Sequence, residues 1–184
     1  MDDSSTIFDA KNGNTYTIRK ISPSDFDSLM DYFGNLSPET RKLFGPHPFD
    51  RQSLVELFLN SVLYIGYIAV EKETNSIVAY SIIKVGYLEH DSSRLQSYGL
   101  ELSNRTDCTY APSVSDDFQN LGIGKGIFQF IINELKEKGF DRVILWGGVQ
   151  ADNKKAVRFY LNQGFREVGQ FEFNGQNLDM VKDI

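Results

Sequence analysis

Val114-Ser115-Asp116-Asp117-Phe118-Gln119-Asn120-Leu121-Gly122-Ile123-Gly124-Lys125-Gly126 joins an apolar strand to the strongest helical pattern in the chain. The strand is expected over Thr106 to Val114. The helix is expected from about Gly122 to Lys138, because Ile123, Ile127, Ile131 and Leu135 recur every four residues. Lys136 and Lys138 suit its carbonyl end, and Gly139 can terminate it. A strand running straight into a helix head presents unpaired backbone N–H groups and the positive end of the helix dipole. Glycines at 122, 124 and 126 remove side chains that would hold an anion away. Alone, such a turn reads equally as a plain connector or as a phosphate site. Two better-known phosphate loops are excluded by spacing. Gly126 is followed by Ile127 where a P-loop needs Lys and then Ser or Thr, and glycines at every second position do not make Gly-x-Gly-x-x-Gly.

Outward from this turn, Thr15–Ile21 alternates as a strand with one buried face. Ser22-Pro23 opens a helix to about Asn35, with Phe26, Leu29, Met30 and Phe33 at helical spacing. Gly45-Pro46-His47-Pro48 breaks the chain, and Asp50 caps a second helix ending near Asn60. Leu63–Val70 and Ile77–Val85 read as a hairpin across Glu73-Thr74-Asn75-Ser76. Gly86 to Asn104 reads as a long polar loop with one helical turn. Val143–Val149 reads as a short buried strand and Asn153–Gln163 as a helix. Phe165–Phe173 and Gln176–Lys182 form a last hairpin around Asn174-Gly175, a pair suited to a type I′ turn. The order describes a mixed α/β arrangement around one sheet.

The chain has 184 residues, 41% hydrophobic and 13% aromatic, which suits one domain with a buried core and argues against disorder. A net charge of -6 argues against a nucleic-acid partner. Cys108 is the single cysteine, so no intrachain disulfide forms. Met1-Asp2-Asp3-Ser4-Ser5 lacks the basic start of a secretory signal, and no apolar run reaches membrane-spanning length. No membrane association and a cytoplasmic location are the expectation. Two histidines and one cysteine, widely spaced, offer no metal cluster.

Gln119-Asn120-Leu121-Gly122-Ile123-Gly124 resembles the Gln/Arg-x-x-Gly-x-Gly/Ala signature of the GNAT superfamily of N-acetyltransferases. Asn153, Ala156-Val157-Arg158-Phe159-Tyr160 and Gly164-Phe165 are similar to that family's Asn-x-x-Ala-x-x-x-Tyr…Gly-Phe segment. The motifs cover roughly residues 110 to 166. The resemblance implies an α/β (α+β) fold: a mixed, mostly antiparallel central sheet flanked by helices and splayed between the fourth and fifth core strands. It implies one N-acetyltransferase domain over 1–184, with residues 1–13 a flexible or edge segment. Acetyl-CoA is the implied acyl donor, with no metal, and an amine the acceptor; relatives often pair as homodimers. Gln119, Asn120, Leu121, Gly122, Ile123, Gly124 and Lys125 are the implied pyrophosphate cradle. Ser113 and Val114 are implied to line pantetheine, and one of their N–H groups to polarise the thioester, since Pro112 has none. Asn153 is implied to contact pantetheine or brace the site, beside its plain role as a helix cap. Tyr160 matches the tyrosine that protonates the leaving sulfur, against the alternative of a core aromatic.

Two departures from the family pattern stand out. Asn120-Leu121 replaces a basic contact that Lys125 can supply, and Asp116-Asp117 sets negative charge near an anionic ligand, both expected to point outward. No general base is evident. Gly147-Gly148 stands where some relatives carry a glutamate, which suggests a bulge or close backbone approach and leaves open an acyl-CoA-binding module without catalysis. Glu89, His90, Glu101 and Asp107 read as solvated charges, His47 as a turn residue, Cys108 as a core thiol, and Lys154, Lys155 and Arg158 as a solvated basic face.

Overall fold

The computed structural model describes residues 4–184, which divide into two compact units. The first takes the chain up to Ile83 together with Ala111–Glu134; the second takes Lys84–Tyr110 and Leu135–Ile184.

In the first unit, strand β1 (Ser5–Asp9) pairs antiparallel with β2 (Thr15–Lys20), which pairs antiparallel with β3 (Tyr64–Glu71). Strand β4 (Ile77–Val85) lies beside β3, and the turn between them closes through Glu71 N–H to Ser76 O at 2.9 Å. Between β2 and β3 run three helices: α1 (Phe26–Asn35), α2 (Pro38–Leu43) and α3 (Arg51–Phe58). A 3-10 turn, Pro23–Asp25, precedes α1. The Asp25 carboxylate accepts from Ser22 N–H at 2.8 Å and takes a forked pair from Arg19 at 2.7 Å each. Asp50 caps α3 by accepting from Ser53 N–H, as expected. Helix α2 was not expected from the pattern. Ser37 caps it, accepting from Thr40 N–H, and Pro38 opens it. The helix α5 (Ile123–Glu137) follows strand β5 (Asp107–Val114), and its stripe Ile123, Ile127, Ile131 and Leu135 is buried as the spacing requires.

In the second unit, β5 pairs parallel with β6 (Arg142–Leu145), and β6 pairs antiparallel with the last strand, β9 (Gln176–Asp183). A two-residue strand β7 (Val149–Gln150) also pairs with β9, and β8 (Arg166–Glu172) lies against β9. The stretch expected as one strand over Val143–Val149 is therefore two. Gly147 and Gly148 take φ of +62° and +72° in the turn that separates them, and a Cβ on Gly148 would lie 2.7 Å from Leu178 O, so the alternative of a close backbone approach holds. The same freedom serves the final turn, where Asn174 and Gly175 both have positive φ as the Asn-Gly pair leads one to expect. Residues 86–104 carry more structure than a loop: a 3-10 turn at Glu89–Asp91 and helix α4 (Ser92–Ser97). Leu95 of α4 packs with Ile144 and Val181, and Tyr87, Tyr98, Leu100 and Leu102 close over that cluster. Helix α6 (Lys154–Asn162) lies between β7 and β8 in sequence.

The fold is a mixed, mostly antiparallel open sheet with flanking helices, as the resemblance implied. The family's fourth and fifth core strands are β5 and β6 here. Among the described residues their register covers Asp107–Tyr110 and closes on Trp146 N–H to Tyr110 O at 3.0 Å. It goes no further.

Candidate active site

The strand end comes first. Ser115 N–H donates to Val78 O of β4 at 3.0 Å, while Tyr110 O accepts from Trp146 N–H on the β6 side. Backbone groups alternate sides along a strand. Residues 111, 113 and 115 thus address β4, and 110, 112 and 114 address the side where the β6 register has ended. Of the two N–H donors left open by the sequence, Val114 has its amide on that side, and Ser113 turns its amide to β4. The Ser113 hydroxyl is buried and bonds Tyr32 Oη at 2.8 Å. Burial pushes the Tyr32 phenol well above its ordinary value, so it stays protonated.

The turn that follows is built to bare its amides. Phe118 N–H and Gln119 N–H close a 3-10 turn over Ser115 and Asp116, and Gln119 Nε2 folds back to Val114 O at 3.1 Å. Asn120 and Gly122 then take left-handed φ of +65° and +92°. The first amide after them to bond backbone is Gly126, which donates to Gly122 O at 3.0 Å. Among the described residues, the backbone N–H groups of Asn120, Leu121, Gly122, Ile123, Gly124 and Lys125 donate no hydrogen bond. Consecutive free amides at a helix head, with left-handed residues interposed, form a concave anion-binding nest. Gly122 is the position where glycine is required. A side chain at φ +92° is strained.

Gly126 has a different role from the one its spacing suggested. A Cβ placed there would sit 2.7 Å from Phe8 Cδ2, so this glycine makes room for the β1 phenylalanine and not for an anion. Asp116 and Asp117 are exposed, as expected, but Asp116 is also engaged. Its carboxylate accepts from Ser37 N–H at 3.1 Å, Ser37 Oγ at 3.0 Å and Thr40 Oγ1 at 2.7 Å. The Thr40 hydroxyl bond is the largest of the influences that hold its carboxyl below the usual carboxylate range. The charge beside the cradle is thus tied to the head of α2.

His47 is buried in an aromatic cluster with Phe33, Phe44, Phe49 and Tyr80. Its Nδ1 lies 2.7 Å from Pro48 O, which can only accept, so Nδ1 carries the proton and Nε2 accepts from Tyr80 Oη at 2.9 Å. Burial holds the imidazole pKa below its ordinary value. Both nitrogens are committed, so His47 is a structural residue of the cluster.

In the second unit, Tyr160 lies buried on α6 against Phe159 and Phe165 at ring distances of 5.3 and 5.5 Å. Burial alone pushes its phenol well above the ordinary value, which keeps the proton on. Asn153 caps α6, its side chain accepting from Ala156 N–H at 3.1 Å. Lys154, Lys155 and Arg158 are exposed on the same helix. Of the four side chains expected as solvated charges three are so placed, and Asp107 is buried instead. Glu89, His90 and Glu101 are exposed. Asp107 is buried at the start of β5, accepting from Ser103 N–H at 2.8 Å and facing Arg142. That places it about 23 Å of strand away from Val114. Cys108 is fully buried, and desolvation raises its thiol far above ordinary. Among the described residues no group of three or more His, Cys, Asp or Glu side chains is placed to hold a metal ion. No helix among them is long and apolar enough to cross a membrane.

A strand that runs into a helix head with bare amides is a geometry suited to an anion. Residues 32–165 match the model of the Acetyltransferase (GNAT) family, and the chain belongs to that family. Over 55 residues it is 38% identical to the [Ribosomal protein bS18]-alanine N-acetyltransferase of Salmonella typhimurium, covering 30% of this chain and 36% of that protein. It is 26% identical over 89 residues to an uncharacterized N-acetyltransferase ycf52-like protein of Prochlorococcus marinus, 46% of this chain and 47% of that one. These matches span only a third to a half of the relatives' length. Among solved structures, the GNAT domain of S. lividans PAT superposes with a TM-score of 0.78 at 18% identity, over 98% of this chain and 97% of that one. The ribosomal-protein-S5-alanine acetyltransferase of Vibrio fischeri gives 0.74 at 17% identity, over 98% and 97%. At such identity these two speak for the fold alone.

Proposed function

We propose that the chain moves an acyl group, acetyl by preference, from coenzyme A to a primary amine of a small molecule or a protein, by direct attack in a ternary complex. The observation that carries this reading is the run of bare amides from Asn120 to Lys125 at the head of α5, in a chain of the GNAT family. The donor's diphosphate fits these residues: Gly122 offers no side chain, the Asp116 carboxylate is engaged by Ser37 and Thr40, and Lys125 is exposed beside the turn. Bound there, the thioester supplies an electrophilic carbonyl and a good leaving group.

The chain's own residues then divide the work. Backbone N–H groups 120–125 hold the diphosphate, and Gln119 ties their turn to the end of β5. Val114 N–H, on the open side of β5, donates to the carbonyl oxygen as negative charge develops there. The amine nitrogen bonds to the carbonyl carbon as the carbon–sulfur bond breaks. Tyr160 gives its proton to the departing sulfur and regains one through solvent from the acylated nitrogen. Asp107 is held by Ser103 and Arg142 at the start of β5, and Glu89, His90 and Glu101 are exposed, which supports water as the route for that proton. The activity of the bS18-alanine N-acetyltransferase relatives supports a protein amine among the acceptors.

An amine-panel screen for thiol release from acetyl-CoA tests the reading. Tyr160→Phe should lower turnover by about 10²-fold or more and leave donor affinity within about twofold. Tight donor binding with no thiol release for any amine class would favour a binding module, consistent with Gly147-Gly148 in place of an acid.

A further inference from the structure

We infer that the N-terminal hairpin β1–β2 is a brace for the donor cradle, with Phe8 and the Lys11 backbone amide as its positioning groups; the inference rests on the cradle reading above. Three contacts from the hairpin bracket the turn. Before it, Tyr16 of β2 meets the ring of Phe118 edge-on, with centroids 6.4 Å apart. Within it, Lys11 N–H donates to Leu121 O at 3.2 Å. After it, the Phe8 ring lies where a Cβ on Gly126 would fall at 2.7 Å and one on Gly122 at 3.4 Å.

The middle contact has a geometric consequence. Among the described residues no peptide bond is cis, and in a planar trans peptide the C=O and N–H point in opposite directions. Holding the Leu121 carbonyl toward Lys11 therefore aims the Gly122 N–H away from the hairpin, on the free side of the turn. Gly122, which has no Cβ, leaves this peptide freer to rotate than a residue with a side chain would, so the hydrogen bond and the Phe8 ring set an orientation the turn alone leaves loose.

The brace is itself firmly held. Ala10 N–H bonds Asn14 O and Gly13 N–H bonds Ala10 O, each at 3.0 Å. Asn12 Nδ2 donates to Tyr16 Oη at 3.0 Å, and Asn14 Nδ2 to Glu71 Oε1 at 2.8 Å. At the far end Ser4 Oγ donates to Glu134 Oε1 of α5 at 3.2 Å. An edge strand with an exposed Ile7 thus carries one inward ring and one amide that reach the cradle.

The test is calorimetric titration of coenzyme A into the full chain, Phe8→Ala, Lys11→Pro and Lys11→Ala, the last of which keeps the N–H. Losing one aiming hydrogen bond should weaken binding about five- to tenfold in Lys11→Pro relative to Lys11→Ala, and by a similar factor in Phe8→Ala. In amide-resolved NMR the downfield shift of Gly122 on adding coenzyme A should shrink in both weakened variants, which a general loss of stability would not single out. Unchanged affinity and an unchanged Gly122 shift in Phe8→Ala would overturn the brace even if Lys11→Pro fails to fold. If the unmodified chain gives no heat, the cradle reading falls, and backbone relaxation of residues 120–122 still decides: equal order in Phe8→Ala and the parent chain refutes the brace.

Discussion

Gly126→Ala separates two explanations for a glycine in the first turn of α5, and its sign should depend on a residue far away in sequence. On helix propensity alone, alanine stabilises the interior of a helix by about 1 kcal/mol over glycine. The new Cβ, however, would lie 2.7, 2.9 and 3.0 Å from Phe8 Cδ2, Cε2 and Cγ. Carbon atoms prefer about 3.5–4.0 Å, and the third contact is at the root of the ring, so a simple ring flip gives no relief. Overpacking of this kind costs about 1–3 kcal/mol. Gly126→Ala should therefore leave the parent chain unchanged or destabilised by up to about 2 kcal/mol. In a Phe8→Ala background the obstacle is gone, and the same substitution should stabilise by about 1 kcal/mol. Urea denaturation of the four proteins closes the cycle, with a coupling of about 1–3 kcal/mol expected. Equal stabilisation in both backgrounds would refute the packing role and return Gly126 to the anion site.

Further outcomes follow from two polar side chains, buried His47 and exposed Asp116. His47 has an imidazole pKa held below 6.5 by burial, so between that lowered value and 6.5 the unfolded chain binds the extra proton. Its contribution is complete above about pH 6.5 and declines as pH falls toward the folded value; the urea midpoint should drop from pH 7.5 to 5.5. His47→Leu should cost about 1–3 kcal/mol at pH 7.5 by leaving Tyr80 Oη without its acceptor, and should flatten that pH dependence. Asp116→Ala should destabilise by about 1 kcal/mol by freeing three donors at the head of α2, and Asp116→Asn, which keeps one acceptor oxygen, by less. Its carboxyl lies below 3.8 in the folded chain, so the Asp116 contribution should persist above that pH and fade as pH falls through the lowered value.

Much of this was legible because it is local. The isoleucine stripe of α5, the caps at Asp50 and Asn153, and the Asn174-Gly175 turn each depend on neighbours within a few residues, and each lies where the pattern put it. The cradle motif is equally local. Helix α2 escaped because six residues present no apolar stripe, and only Ser37-Pro38 signals its start. What stayed hidden depends on distant partners. Nothing near Gly126 in sequence announces Phe8, and nothing near Asp116 announces Ser37 and Thr40. The choice between Ser113 and Val114 needed the register of β5, because one residue of slip reverses which amide faces which side. Tyr160 was found through a family motif, and its burial is compatible with a core aromatic as well as with a proton donor.

Amide-resolved NMR during titration with coenzyme A addresses the central claim most directly. Diphosphate held by the bare amides should move the resonances of Asn120 through Lys125 downfield, further than any others in the first unit, with saturation at one equivalent. Saturable binding that leaves those six amides in place, or no binding at all, would contradict it.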